Sequence, residues 1–483
     1  MKVISIDIGA TSGRVMTVME KDGILTYEEN LRFPNKIIEE ENTYYWDFPL
    51  LLSHVRLGIQ KALTKYNDIK SLSIDTWGVD YGILSSEGKL KGNPLCYRDE
   101  HSYQKQKELL SLLPFEKIYQ KVGIQNLHFN TIYQLYKDER IEKGDKILLI
   151  PDLIAYFLTG FMRMEETNAS TTSLYDSQKK KLDEELLSLL SLDSSYFPKM
   201  IFPKESYGCL KEEYYPKEYC GKKIEVVACC SHDTASAVLG TDGFGDFAYL
   251  SSGTWSLLGT ELETPILTLE SQKANFTNEI GYGGKVRYLK NTMGMFLINE
   301  TRKEFKEKGL DIPVSKIKEC VESSEDIDSF LDVDDPLFET PGGMIKKIDD
   351  YLKRTKQEIP KKVGQYLRII YQSMALSYRK KMDDLERLVG HTLSTLIIVG
   401  GGNQASVLNQ FTANALKRKV ITGPIEATVL GNALVQFFHH GVYQSVDEGR
   451  KAIEKSIVSE TYLPLEEERW NQKIEKFKRI EKR

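Results

Sequence analysis

The chain has 483 residues, 41% of them hydrophobic and 28% charged, with a formal net charge of −5. That length predicts two or three domains with sizeable apolar cores, and the balance leaves no basic footprint for nucleic acid. No window approaches the ~18 uninterrupted apolar residues of a membrane helix, and six cysteines without a CxxC pair predict a reduced, cytoplasmic protein instead of a disulfide scaffold.

The opening segment alternates apolar and polar residues up to Asp7, too interrupted for a secretory leader. It reads as a strand that turns through Gly9-Ala10-Thr11-Ser12-Gly13 and returns from Arg14 to Val18, a hairpin. A third run, Leu25 to Phe33, follows the turn pair Asp22-Gly23. Further on, Leu72 to Trp77 reads as a strand that ends at Gly78. The apolar run Ile224 to Cys230 stops at Ser231-His232-Asp233, and a helix of small residues follows. Three glycines and two acids between Gly240 and Asp246 mark a boundary, predicting an N-terminal lobe over 1–243 and a C-terminal lobe over 244–483. The second lobe then opens as the first does. Phe247 to Leu250 leads through Ser251-Ser252-Gly253-Thr254 into Trp255 to Gly259. Tyr366 to Val389 has the apolar spacing of an amphipathic helix. Leu396 to Val399 is a buried strand closing on Gly400-Gly401-Gly402, and Leu465 to Arg483 reads as a helix capping the surface.

Four of these segments carry groups suited to chemistry. Small residues at the first hairpin tip let backbone N–H groups approach an anion, with hydroxyls and Arg14 as further donors, and Asp7 at the strand end suits a hydrated Mg²⁺. An ordinary tight turn would look the same. The second hairpin turn is its counterpart, so the pair suggests two clamps on one polyphosphate. Gly400 to Gly402 point either to a nucleoside lying across the strand end or to tight strand–helix packing. Asp233 is placed either to accept a hydroxyl proton or simply to cap the helix it opens.

Taken together the chain resembles the FGGY carbohydrate kinases. The likeness runs through Ser5 to Arg14, Ile74 to Asp80, Tyr97-Arg98-Asp99, Phe129 to Leu135, Ser231 to Val238, Tyr249 to Leu257, Leu289-Lys290-Asn291 and Val399 to Gly402. It implies an α/β fold of two actin-like, ribonuclease-H-type lobes with an inter-lobe catalytic cleft, closing on ATP and a small ketose. It further implies that Asp233 is the general base and that Gly78, His232, Asp233 and Asn291 contact the sugar. Ala10, Thr11, Ser12, Gly13, Arg14, Thr254, Asn299 and Gly401 would contact ATP, and Asp7 would position Mg²⁺. Where the family pattern reaches a Gln near the nucleotide, this chain has Asn299, one methylene shorter, so the same hydrogen bond needs a closer backbone or a water. Around this core, Trp77 and Tyr81 offer apolar faces for a deoxy-sugar methyl or for packing, and Asp80, Asn130 and Asn291 offer polar groups for hydroxyls.

Overall fold

Alternation in the opening segment does more than make a strand, because both faces of that strand become buried. In the computed structural model, which describes residues 1–480, β1 is Lys2–Ile8 and every residue after Lys2 is covered. It pairs antiparallel with β2, Ser12–Lys21, which pairs antiparallel with β3, Ile24–Pro34. On its other side β1 runs parallel to β4, Ile69–Thr76. The sheet is completed by β5, Ser206–Cys209, and β6, Glu225–Val227, in the order β5-β6-β4-β1-β2-β3.

One face of this sheet takes the helix Phe48–Lys65, whose Leu51, Val55, Ile59 and Leu63 recur at helical spacing and pack with Ile4, Ile6, Ile8 and Val15. Asp47 starts that helix by accepting the Leu50 N–H at 3.1 Å. The opposite face presents Val3, Met16 and Val18 to the helix Ala427–His439. Polar side chains fix that second contact. Gln436 Nε2 donates to the Ile4 carbonyl at 3.0 Å, Ser71 Oγ donates to Gln436 Oε1 at 2.8 Å, and Ser5 Oγ donates to the Val429 carbonyl at 3.1 Å.

These contacts explain a departure from two contiguous halves divided at residue 243. The chain does divide between Asp242 and Gly243, but the first compact unit also contains Glu261–Tyr288 and Glu426–Ile457. The second consists of Gly243–Thr260, Leu289–Ile425 and the chain from Val458 onward. The helix Ala427–His439 returns to the first sheet because its apolar face and its glutamine are complementary to β1 and β4. Gly431 allows close approach to the helix Asp233–Leu239, since a Cβ there would stand 1.8 Å from the Ser236 carbonyl oxygen.

The sheet running through the second unit repeats the pattern. β7, Ala248–Ser252, pairs antiparallel with β8, Trp255–Leu262, and parallel with β10, Thr395–Val399. β9, Val286–Met293, lies beside β8, and β11, Lys419–Thr422, and β12, Thr461–Tyr462, extend the far edge. The predicted long helix is Val363–Val389, ended by Gly390 at φ 83°. The tail forms the helix Glu467–Ile480, which buries Trp470, Phe477 and Ile480 against Phe330, Leu376 and Ala415, and buries Lys473 in ion pairs with Asp326 and Asp328. Glu481–Arg483, the end of that predicted tail, lie outside the described residues. Among the described residues no helix is long and apolar enough to cross a membrane.

Candidate active site

Parallel pairing of β1 with β4 sets two carboxylates side by side, since Asp7 and Asp75 are register partners. Arg14, opposite Asp7 on β2, donates to Asp7 Oδ2 from Nε at 2.8 Å and from Nη2 at 2.6 Å, and its Nη1 reaches Glu426 at 2.5 Å. The guanidinium is therefore held by two acids and not displayed at the hairpin tip, where Ala10, Thr11 and Ser12 stand more open. Gly13 is required by packing, because a Cβ there would meet the Phe33 ring at 2.3 Å, whereas one on Gly9 would find its nearest atom at 3.6 Å. Asp75 is fully buried. Its Oδ2 accepts from Asn432 Nδ2 at 2.6 Å, and its Oδ1 has no hydrogen-bond partner. Burial and then the neighbouring Asp7 push this carboxyl well above the ordinary range.

That donor set suits Mg²⁺. Hard carboxylate oxygens, one of them buried and unsatisfied, converge where negative charge accumulates. Among the described residues no three acidic, histidine or cysteine side chains form a metal cage.

Asp233 sits beside this cluster for a backbone reason. Thr76 N–H donates to the Ser231 carbonyl at 2.9 Å, and Thr76 bridges His232 in parallel, which extends β4 by one residue pair. Buried Glu165 clamps the same turn by accepting from the Ser231 N–H and hydroxyl at 3.1 and 2.5 Å. His232 occupies the helix N-cap position and Asp233 the first turn. Asp233 Oδ1 accepts from the Thr234 N–H at 2.5 Å and the Thr234 hydroxyl at 3.0 Å, and Oδ2 carries no bond to the protein. Asp233 is therefore not the N-cap, and an acceptor for the Thr234 N–H and an open carboxylate oxygen coexist on one side chain, which is 30% exposed. Burial raises its affinity for a proton, and Asp7 adds to that.

Behind His232 lies a buried ion pair that sequence reading missed. Arg287, wholly buried, donates from Nη2 to Glu279 Oε2 at 3.0 Å and to His232 Nδ1 at 2.9 Å. Burial alone would raise Glu279, but the Arg287 guanidinium beside it holds the carboxyl below its ordinary range.

The loop after β4 is strained where it borders this site. Val79 has φ 70°, an outlying conformation for a β-branched residue. It is held there because its N–H donates to Thr171 Oγ1 at 3.1 Å and its carbonyl accepts from Thr131 Oγ1 at 2.6 Å. A Cβ on Gly78 would press Thr171 Oγ1 at 2.8 Å, so glycine is required. The expectation that Trp77, Tyr81, Asp80 and Asn130 face a sugar is corrected here. Trp77 and Tyr81 are buried, and the Tyr81 hydroxyl donates to Asp138 at 2.6 Å. Asp80 is consumed by four donors, Trp46, Trp77, Tyr97 N–H and Gln134. Asn130 donates to the Gln125 carbonyl and to Ser173. These groups build the wall of the unit, because each buried polar atom must find a partner.

In the second unit Gly253, Thr254, Asn299 and Gly401 line one cavity of about 600 Å³, together with Met295 and Arg302. The turn is locked to the helix Phe296–Glu307 by Met295 N–H to the Gly253 carbonyl at 2.9 Å and Phe296 N–H to the Thr254 carbonyl at 3.2 Å, which brings Asn299 to the cavity wall. The three glycines divide their roles. Gly400 takes φ 83°, and Gly402 lies against Ser252, where a Cβ would stand 2.0 Å from Oγ. A Cβ on Gly401 would meet nothing within 4 Å, so that glycine faces the cavity. Asn291 is half-buried on β9 of this unit. Arg302 had no signal in the sequence beyond a charged residue one turn after Asn299.

Residues 2–240 match the N-terminal domain of the FGGY family of carbohydrate kinases, and residues 248–440 match its C-terminal domain. The chain is 38% identical to a rhamnulokinase of Lactiplantibacillus plantarum, over 95% of this chain and 94% of that protein. It is 38% identical to a rhamnulokinase of Bacteroides thetaiotaomicron over 98% of each, and 39% identical to one of Ligilactobacillus salivarius over 95% of each. Among solved structures, a ligand-bound xylulose kinase from Lactobacillus acidophilus superimposes with a TM-score of 0.81 at 16% identity, covering 100% of this chain and 98% of that one. A Plasmodium falciparum glycerol kinase with ADP gives 0.81 at 18% identity with the same coverage. They share the two-domain α/β fold.

Proposed function

The chain belongs to the FGGY family of carbohydrate kinases, and on that premise we propose that it transfers the γ-phosphoryl group of ATP to O1 of L-rhamnulose, giving L-rhamnulose 1-phosphate in rhamnose breakdown. The observation that carries this reading is the Asp233 carboxylate at a strand-extended turn, with Oδ2 unbonded beside the Asp7–Asp75 pair. Support for the sugar comes from the relatives at 38–39% identity over most of the chain.

Asp233 accepts the O1 proton as that oxygen attacks the γ-phosphorus, and the carboxylate regains its charge when the product leaves. His232, Gly78 and Asn291 contact the sugar. Adenosine occupies the cavity lined by Asn299 and Gly401, while Thr254 and the turn Ala10 to Gly13 serve the phosphates. Asp7 and Asp75 are the residues that would hold Mg²⁺, which when bound neutralises charge on the transferring phosphate. Arg14 positions Asp7 for that task, through the two hydrogen bonds to Oδ2. We place the protein in the cytoplasm, in keeping with six free cysteines.

A panel of L-rhamnulose, L-fuculose and L-xylulose with coupled ADP detection tests the assignment. The expected result is the highest kcat/KM for L-rhamnulose, ATP consumption that depends on added sugar, and product NMR locating the phosphate on O1. A higher kcat/KM for either other ketose makes the protein a related ketose kinase, and phosphate elsewhere refutes the assigned geometry.

A further inference from the structure

We propose that Arg287 and Glu279 hold His232 as the neutral imidazole with its proton on Nε2, and so act as positioning residues for phosphoryl transfer. A guanidinium has five N–H donors and no acceptor. Arg287 Nη2 lies 2.9 Å from His232 Nδ1, so Nδ1 must offer its lone pair and the ring proton must sit on Nε2. Glu279 Oε2 also lies 3.3 Å from Nδ1, an arrangement that would suit an imidazolium donating to the acid. That alternative sets a ring N–H against a guanidinium N–H across the 2.9 Å Nδ1–Nη2 contact, two donors with no acceptor between them.

The pair is well built for the task. Arg287 Nε donates to the Ile280 carbonyl at 3.2 Å, and Nη2 is shared between Glu279 and the imidazole, so the guanidinium is held along its Nε–Nη2 edge while Nη1 stays buried without a partner. The His232 N–H donates to Thr167 Oγ1 at 3.3 Å, which fixes the backbone from which the ring projects. With Nδ1 committed, Nε2 stands 3.5 Å from Asp233 Oδ1. That separation exceeds a good hydrogen bond, so the Nε2–H is available to an incoming hydroxyl oxygen. A neutral ring also spares Asp233 the nearby positive charge that would weaken it as a base.

The inference rests on the reading of His232 and Asp233 as sugar-site residues, and the experiment separates the two. Long-range ¹H–¹⁵N correlation of the full chain labelled in its seven histidines, with His232 assigned from a His232→Gln variant, reads the tautomer directly. The expected spectrum shows a protonated Nε2 and a bare Nδ1 at neutral pH; a protonated Nδ1 or an imidazolium overturns the inference. Removing one partner alone leaves an uncompensated buried charge, so the kinetic variant is the double change Glu279→Gln with Arg287→Met. It should lose the tautomer signature and about 10- to 100-fold in kcat, the scale found when groups that orient a functional histidine are removed, with KM for ATP little changed. An unchanged kcat in the double variant also overturns the inference. If the double variant does not fold, the spectrum of the unaltered protein still decides. Asp233→Asn is assayed in parallel: if it keeps its turnover, the proposed sugar site is wrong whatever the ring reports. If it loses turnover while the tautomer is not as stated, the proposed function stands and only the positioning role falls.

Discussion

Asp233 holds the Thr234 N–H through Oδ1 and leaves Oδ2 open, and the first makes the second testable without loss of that first-turn bond. Asp233→Asn keeps an acceptor for the Thr234 N–H while removing the basic carboxylate. Turnover should fall by ~10² to 10⁴-fold, the usual contribution of a general base, with sugar affinity little altered. Near-normal turnover would remove Asp233 from the mechanism. Its pH dependence follows from the raised proton affinity. The base works only when ionised, so kcat/KM should decline on acidification with a midpoint above the ordinary carboxylate range. A profile flat down to that range would show that another group takes the proton.

The glycine-rich segment after β10 packs at one position and lines a cavity at the one before it. Gly401→Val places its Cβ where no protein atom lies within 4 Å, so the fold should persist while affinity for MgATP in the cavity drops. Gly402→Val instead drives a side chain into Ser252 and should cost about 1–3 kcal/mol of stability, as overpacked sites do. Calorimetric titration with MgATP and thermal melts of both variants separate the roles. Unchanged affinity in a folded Gly401→Val protein would mean that the strand end is only structural. Strain in the loop carrying Val79 belongs to the same scale, since two hydroxyl hydrogen bonds hold a conformation that valine would not choose.

For the molecule as a whole, buried carboxylates tie stability to pH. Asp80 is pushed up to about 6 by burial, only partly offset by its four donors. A folded-state value above the ordinary 3.8 means that the folded chain holds this proton more tightly than the unfolded chain does. The resulting stabilisation is full below the ordinary value and is lost as pH rises through about 6. The melting temperature of the parent protein minus that of Asp80→Asn should therefore become more positive as pH falls from about 8 to about 5. A difference independent of pH, or one that shrinks on acidification, would show that Asp80 is not held in this state.

Much of this was legible in the chain because it is local. The two hairpins, the parallel strand that follows each, the helix opened by His232-Asp233 and the Gly400 to Gly402 turn all follow from alternation, turn residues and capping over a few residues. The cavity residues Thr254 and Gly401 lie in turns legible in the sequence, whereas Asn299 was implied only by the family resemblance. What local pattern does not carry is which distant group satisfies a buried one. Asn432 on Asp75, Glu165 on Ser231 and Arg287 on His232 are separated by 357, 66 and 55 residues, and nothing in their neighbourhoods marks them. The same holds for Trp77, Asp80 and Asn130, whose residue types suit a sugar equally well but whose atoms are taken up by the wall. The return of Glu426–Ile457 to the first unit was decided in the same way, by complementarity between one helix face and the far side of β1. Secondary structure is set by neighbours along the chain, whereas the partner of a buried charge is set by whichever element the packing brings across it.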